Sequence, residues 1–123
     1  VYIQQRKDDD IWGGLWEFPG GRLEKNEKPE EAVIREYQEE TDFVVEICEK
    51  ITTVVHFYTK YRVTLHCYLC RLRQESTIPS LKEAQNYHWV DATELEQYGF
   101  PAGHRKCIEY VEKNCPEIFS KNC

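Results

Sequence analysis

The residues best suited to chemistry lie between positions 20 and 43, where glutamates and an arginine recur at short, regular spacing. Glu36, Glu39 and Glu40 stand at i, i+3 and i+4, so on a helix their carboxylates share one face. Like charges crowded in this way repel one another unless a cation lies among them. Carboxylate oxygens are the ligands that Mg²⁺ and Mn²⁺ prefer. The spacing therefore indicates a divalent metal site; a solvated acidic helix face is the alternative for these three residues alone.

A helix must hold these carboxylates in place. Pro29 suits a first helical turn, and Asn26 and Glu27 precede it as capping candidates. Glu30 and Glu31 would place negative charge at the positive end of the helix dipole. The sequence predicts a helix from about Pro29 to Thr41, approached through a loop that contains paired glycines.

The wider pattern of charged residues resembles the Nudix hydrolase signature. That signature is a glycine, a glutamate six positions later, an Arg-Glu pair and a Glu-Glu pair, and it is filled here by Gly21, Glu27, Arg35-Glu36 and Glu39-Glu40. One position departs from it, because Asp42 stands where the family usually has glycine. A glycine there serves left-handed backbone at the helix end, which Asp tolerates better than most residues. We expect a cost in stability more than in activity.

The segment Leu15–Gly21 resembles the MutT branch of the family, the nucleoside triphosphate pyrophosphohydrolases that include 8-oxo-dGTP diphosphatase. The resemblance implies a Mg²⁺ cofactor, with Mn²⁺ as its substitute, held by the Gly20 carbonyl and by Glu36, Glu39 and Glu40. It implies that Arg35 braces the loop against the helix. The candidate general base is Glu36, Glu39 or Glu83, and the choice among these stays open.

The resemblance also implies a set of substrate-binding residues around the nucleotide. These are Arg6, Ile11, Glu17, Phe18, Pro19, Gly20 and His104. His104 stands where the 8-oxo-dGTP enzymes typically have Asn, and an imidazole offers its donor and acceptor in a different geometry from an amide. A preference for oxidised guanine is therefore an open question, and an exposed residue in a first helical turn is the alternative for His104.

The function expected from these residues is hydrolysis of a nucleoside triphosphate, an oxidised one such as 8-oxo-dGTP among the candidates, to monophosphate and pyrophosphate. Two alternatives stay open: an RNA 5′-pyrophosphohydrolase, and a non-catalytic MutT-like lesion-recognition domain such as that of adenine DNA glycosylases. The retained signature residues Glu27, Arg35, Glu36, Glu39 and Glu40, here called the charged box, favour the enzyme over the recognition domain. A net charge of -6 argues against tight binding of nucleic acid polymers. The sequence does not distinguish a monomer from a homodimer.

Length and composition fit one enzyme domain. The 123 residues suffice for a single core, and the order of elements together with the resemblance implies an α/β class, a Nudix α/β/α sandwich with a mixed sheet between helices. The chain opens at Val1 in mid-strand without Met, so a first N-terminal strand is expected to be missing. No signal peptide or long apolar run is found, which predicts a cytoplasmic protein without membrane contact, with six reduced cysteines.

The remaining elements follow from local patterns. Strands are predicted over Val1–Gln5, over a long hairpin of Phe43–Tyr58 and Tyr61–Arg73, and near Tyr87–Val90. Asp91 is expected to cap a turn through Glu96. Pro101 is expected to start a final amphipathic helix.

Overall fold

The computed structural model describes residues 1–120, which form five strands and two α-helices. The elements, in order, are β1 (Tyr2–Arg6), β2 (Trp16–Glu17), α1 (Pro29–Thr41), β3 (Val45–Phe57), β4 (Arg62–Leu72), β5 (Ala84–Trp89), a 3₁₀ helix (Ala92–Gln97), α2 (Ala102–Asn114) and a 3₁₀ helix (Ile118–Ser120). The predicted helix over 29–41, the long hairpin and the Asp91-capped turn are confirmed.

The strands form two antiparallel sheets. One has the order β2-β1-β5, and the other is the β3–β4 hairpin. A single mixed sheet was expected, so the pairing differs from the prediction although the α/β class is confirmed. The hairpin register shifts twice, between Ile47 and Glu49 and between Lys50 and Thr52, which bends the long strand β3.

The two α-helices lie on opposite faces of the hairpin. Tyr37 of α1 packs with Cys70 and Leu72, whereas Gly103 of α2 lies directly beside Leu65. Successive side chains of a strand point to opposite faces, so positions 70 and 72 face away from position 65. This is the three-layer arrangement of an α/β/α sandwich.

The C-terminal end of α1 is as predicted from the sequence, but its N-terminal cap is not. Asp42 ends the helix in the left-handed region, at φ 61°, and its N–H donates to the Gln38 carbonyl at 3.0 Å. The predicted caps Asn26 and Glu27 are wrong: Lys28 is the N-cap, and its N–H donates to Oε1 of Glu31 at 3.4 Å. Glu27 is instead engaged by Arg35, which removes it from capping.

Core packing and the thiols complete the fold. Ile3 and Phe43 are almost fully buried, in two neighbouring clusters on either side of β1. Free thiols are found at Cys67, Cys70, Cys107 and Cys115, but Cys48 is disulfide-bonded, so the expectation of reduced cysteines is wrong at that position. In the part of the chain that is described, no helix is long and apolar enough to cross a membrane.

Candidate active site

Arg35 braces the loop before α1 against the helix. Its Nε and one terminal nitrogen bind the two carboxylate oxygens of Glu27 at 2.7 and 2.9 Å, and the same terminal nitrogen donates to the Arg22 carbonyl at 3.0 Å. Such two-point pairing fixes orientation as well as distance. The guanidinium lowers the pKa of Glu27 to about 2. The loop that carries the paired glycines is thereby fixed to the carboxylate-bearing helix.

Glu40 is the buried carboxylate of the cluster, with 4% of its surface exposed. Its oxygens accept hydrogen bonds from the Gly20 N–H at 3.0 Å and from the Gln4 side chain at 3.3 Å. Burial, with the negative charges of Glu17, Glu36 and Glu83, raises the pKa of Glu40 to about 8. Glu17 and Glu36 are paired with Arg6 and Arg35, whereas no ion pair of Glu40 itself is found among residues 1–120.

Gly21 allows the Glu36 carboxylate to approach the loop backbone. A Cβ on Gly21 would overlap the Glu36 carboxylate, so any larger residue would push that side chain away. Glu36 also accepts a hydrogen bond from Arg35 at 2.8 Å. The glycine and the arginine together set where this carboxylate lies.

Glu39 and Glu83 stand at the exposed edge of the cluster. The side chain of Glu39 is 56% exposed and pairs with Arg35 at 3.0 Å. Glu83 is exposed too, and it follows a loop that is fixed to the end of α1, where the Lys82 N–H donates to the Glu40 carbonyl at 3.3 Å. Both side chains remain accessible to water and to a substrate.

The donor set fits a hard divalent cation, although residues 1–120 contain no ready-made cage of three or more ligating side chains. Arg35 draws Glu36 and Glu39 to itself, whereas Glu40 points toward Gly20. Mg²⁺ needs only one or two protein carboxylates, because waters and substrate phosphates complete its octahedron. Burial, and after it the neighbouring carboxylates, oppose ionisation of Glu40 and raise its pKa, and a bound cation would favour the ionised form.

A cavity of about 1550 Å³ is lined by Gly20 and Gly21, the glycines next to Glu40 and Glu36, and it continues along the β3–β4 hairpin. It is in contact with every residue predicted to bind substrate: Arg6, Ile11, Glu17, Phe18, Pro19, Gly20 and His104. Arg6 lies between acidic partners, at 2.6 Å from Glu17 and 2.8 Å from Asp10, and its Nε donates to the Ile11 carbonyl at 2.7 Å. These contacts hold the loop after β1 over the cavity.

Phe18 and His104 form one wall of the cavity. Their rings are parallel within 3°, with centroids 5.8 Å apart, and Phe18 also stacks on Phe100 at 5.3 Å. Burial, with a smaller contribution from the positive charge of Arg6, lowers the pKa of His104 to about 4, so the imidazole is neutral near pH 7. Ile11, by contrast, is 68% exposed at the opening.

Two residues of this site were missed at the sequence level. Gln4 is fully buried and contacts both Glu17 and Glu40, and Asp10 pairs with Arg6. The signal for Gln4 is weak: it shares a strand face with Tyr2, but Ile3 on the opposite face is buried too, so alternation alone does not mark Gln4. Asp10 lies in a run of three aspartates in which no single residue stands out.

Comparisons with known proteins agree with this fold. A family model described as NUDIX domain matches residues 1–110. A Proteus vulgaris protein named 8-oxo-dGTP diphosphatase is 46% identical over 69 residues, which cover 56% of this chain and 62% of that protein. The Escherichia coli K12 protein of the same name is 29% identical over 113 residues, covering 92% of this chain and 86% of its own length. The crystal structure of the MutT protein from Methanosarcina mazei Go1 superposes with a TM-score of 0.75 at 24% identity, covering 93% of this chain and 84% of its own.

The chain therefore belongs to the NUDIX family, and its fold agrees with this assignment. It is a Nudix hydrolase, and the relatives from Proteus vulgaris and Escherichia coli carry the name 8-oxo-dGTP diphosphatase.

Proposed function

We propose that this chain is a Mg²⁺-dependent hydrolase that cleaves a nucleoside triphosphate to monophosphate and pyrophosphate, with 8-oxo-dGTP as the leading substrate. One observation carries the proposal: the Arg35-braced box and the buried Glu40 lie beside a cavity that all seven predicted substrate-binding residues line. The names of the Proteus and E. coli relatives support the choice of 8-oxo-dGTP.

The metal would be held by the carboxylates of Glu36, Glu39 and Glu40 and by the Gly20 carbonyl. When bound, a divalent cation supplies charge neutralisation at phosphoryl oxygens and Lewis acidity. Gly20 is suited to this task because its N–H already donates to Glu40, which fixes the peptide at the edge of the box.

The chain's own residues supply the rest of the mechanism. The exposed carboxylates of Glu39 and Glu83, or that of Glu36, would accept the proton of the attacking water. Arg35 orients Glu36 and Glu39, because one of its terminal nitrogens contacts both carboxylates. The rings of Phe18 and His104 give an apolar, stacked wall on which a planar base could lie.

Pyrophosphate release from a panel of nucleoside triphosphates tests the proposal. The panel comprises 8-oxo-dGTP, the four canonical deoxynucleotides and a triphosphate-ended RNA, each with Mg²⁺ and with EDTA. Glu40→Gln should lower turnover roughly 100- to 1,000-fold, because it removes a charged ligand worth several kcal/mol in the transition state. Glu109→Gln, an exposed change on α2, is the matched control and should behave like the unchanged chain.

Each outcome has a distinct meaning. Mg²⁺-dependent turnover of 8-oxo-dGTP that Glu40→Gln abolishes supports the proposal. Faster turnover of the RNA would replace it with the 5′-pyrophosphohydrolase. A folded chain that turns over none of these substrates contradicts the enzyme assignment of this site and favours a recognition domain.

A further inference from the structure

Gln4 of β1 is completely buried and uses all of its hydrogen-bonding groups. Its Nε2 lies 3.0 Å from Oε2 of Glu17 and 3.3 Å from Oε1 of Glu40, and its Oε1 lies 3.2 Å from the Tyr2 hydroxyl. An amide has two N–H donors, and each is directed at a different carboxylate. One side chain thus joins two acidic residues from separate parts of the site.

The surroundings fix which way the amide faces. The Glu17 carboxylate is held by the Arg6 guanidinium at 2.6 Å and accepts hydrogen bonds only, so the NH₂ group of Gln4 faces Glu17 and, on the same side, Glu40. The carbonyl oxygen then faces Tyr2, whose hydroxyl must be the donor. Reversing the amide would place its oxygen against two carboxylates and leave the hydroxyl of Tyr2 facing donors.

The two carboxylates that Gln4 joins have different neighbours. Glu17 binds Arg6 at 2.6 Å on the cavity side, and Glu40 accepts the Gly20 N–H at 3.0 Å on the side of the box. Gln4 therefore lies between the substrate-facing pair and the group assigned to the metal. A displacement of its amide would therefore change the positions of both Glu17 and Glu40.

We propose that Gln4 is a positioning residue that aims the Glu40 carboxylate at the divalent cation and holds Glu17 at a fixed distance from it. This inference rests on the proposed function, because it takes Glu40 as a metal ligand. It adds a residue outside the charged box whose identity sets the strength of metal binding.

The chemistry of an amide suits this role. A lysine at position 4 would also hold the two carboxylates, but its positive charge would neutralise Glu40 and compete with the metal. A neutral amide occupies one lone pair of each carboxylate and leaves the negative charge in place. Residues behind metal ligands typically change affinity or activity 10- to 100-fold when they are replaced.

Binding of Mn²⁺ alone to the full chain, measured by isothermal titration calorimetry at one fixed pH, is the direct test. Gln4→Met keeps the length of the side chain and removes both donors, so it should weaken Mn²⁺ binding about 10- to 100-fold and lower kcat more than it changes KM. Gln5→Met is the matched control: the neighbouring glutamine donates to the Gly14 carbonyl at 3.0 Å, away from the box, and should leave Mn²⁺ binding unchanged.

Tyr2→Phe tests the orientation of the amide without altering Gln4 itself. As a single substitution it should weaken Mn²⁺ binding a few-fold. Added to Gln4→Met it should have no further effect, because the two residues act through one amide. This pair also covers the case in which Gln4→Met folds poorly, which a thermal melt would reveal.

The outcomes separate this inference from the function on which it rests. A folded Gln4→Met that binds Mn²⁺ as tightly as Gln5→Met overturns the positioning role while the unchanged chain still turns over substrate. Additive losses in the double variant overturn the part assigned to Tyr2. An unchanged chain that neither binds Mn²⁺ nor hydrolyses any triphosphate overturns the proposed function and this inference together.

Discussion

The backbone N–H of Phe18 donates a hydrogen bond to Nδ1 of His104 at 3.3 Å, across 86 positions of sequence. Because Nδ1 accepts this bond, the neutral ring carries its proton on Nε2. The ring nitrogen that is left for a ligand is therefore a donor. A base that presents an acceptor would be matched by it, and one that presents only a donor would be opposed.

Replacing His104 with Asn should change which purine the site prefers. An amide offers both a donor and an acceptor, so His104→Asn should favour bases that present both groups, relative to the unchanged chain. We expect a shift of about 10- to 100-fold in the ratio of kcat/KM values for 8-oxo-dGTP and dGTP, since a good polar contact is worth about 1–3 kcal/mol. An unchanged ratio would show that His104 does not contact the base.

The partly buried His104 should make the folded chain less stable in mild acid. Its pKa of about 4 lies below the usual 6.5, so between these values the unfolded chain binds a proton that the folded chain excludes. Stability is therefore lost as pH falls from 6.5 to about 4, by at most about 3 kcal/mol from this residue. Urea unfolding at pH 7 and pH 5 measures the loss, and His104→Asn should reduce it. Equal losses in both chains would contradict the burial of a neutral imidazole.

The pairing of Arg35 with Glu27 should matter far more than its pairing with Glu24. Glu27→Gln removes a charge that Arg35 holds at 2.7 Å, and we expect turnover to fall about 10- to 100-fold as the loop loosens from α1. Glu24→Gln is the matched control, because this residue lies in the same loop at 3.6 Å from the same guanidinium and is 65% exposed. Comparable losses in the two variants would show that the loop is held by other contacts.

A methyl group on Gly21 should damage the box more than one on Gly20. The Cβ of Gly21→Ala would displace the Glu36 carboxylate, and a shift of about an ångström in a catalytic group costs on the order of 100-fold in rate. Gly20→Ala adds the same methyl group with nothing within 4 Å, so its loss of kcat should be at least about tenfold smaller. Steady-state kinetics with Mg²⁺ decides the matter, and a larger loss in Gly20→Ala would contradict it.

The left-handed end of α1 should separate three residue types at position 42. Both Asp42→Ala and Asp42→Gly lose the ion pair with Lys82 at 2.5 Å. Only the alanine keeps a Cβ at φ 61°, a backbone conformation that glycine accepts without strain. We expect the alanine variant to melt about 2–5 °C below the glycine variant, with kcat unchanged in both. Thermal melts monitored by circular dichroism test this, and an alanine variant as stable as the glycine variant would refute it.

The helix at the site was predictable from the sequence because its signals are local. Pro29 marks its start, and Asp42 fills a left-handed position that only a few residue types accept. The observed division into two antiparallel sheets was not predicted, because pairing between distant strands depends on packing that no window of sequence records. The bulges near Cys48 and Ile51 show this, since nothing in the local pattern of β3 marks them.

Side-chain partners were the least predictable part of the site. Glu27 was read as a cap, yet Arg35 outcompetes the helix end for it, because a two-point ionic contact is stronger than a backbone cap. Gln4 was overlooked because glutamines are mostly exposed, and its burial depends on two carboxylates that come from other elements.

Gly103 sits so close to the hairpin that a Cβ there would lie 2.9 Å from Cδ1 of Leu65, and its N–H donates to the Tyr58 hydroxyl at 3.3 Å. The first turn of α2 is therefore packed against the hairpin by a residue that has no side chain, one position before His104, which lines the cavity. Packing of the helix and contact with the cavity thus depend on two different, neighbouring residues. A library randomised at position 104 with Gly103 kept constant should yield folded proteins with divergent substrate preferences, so this helix start is a natural point for new specificities to arise.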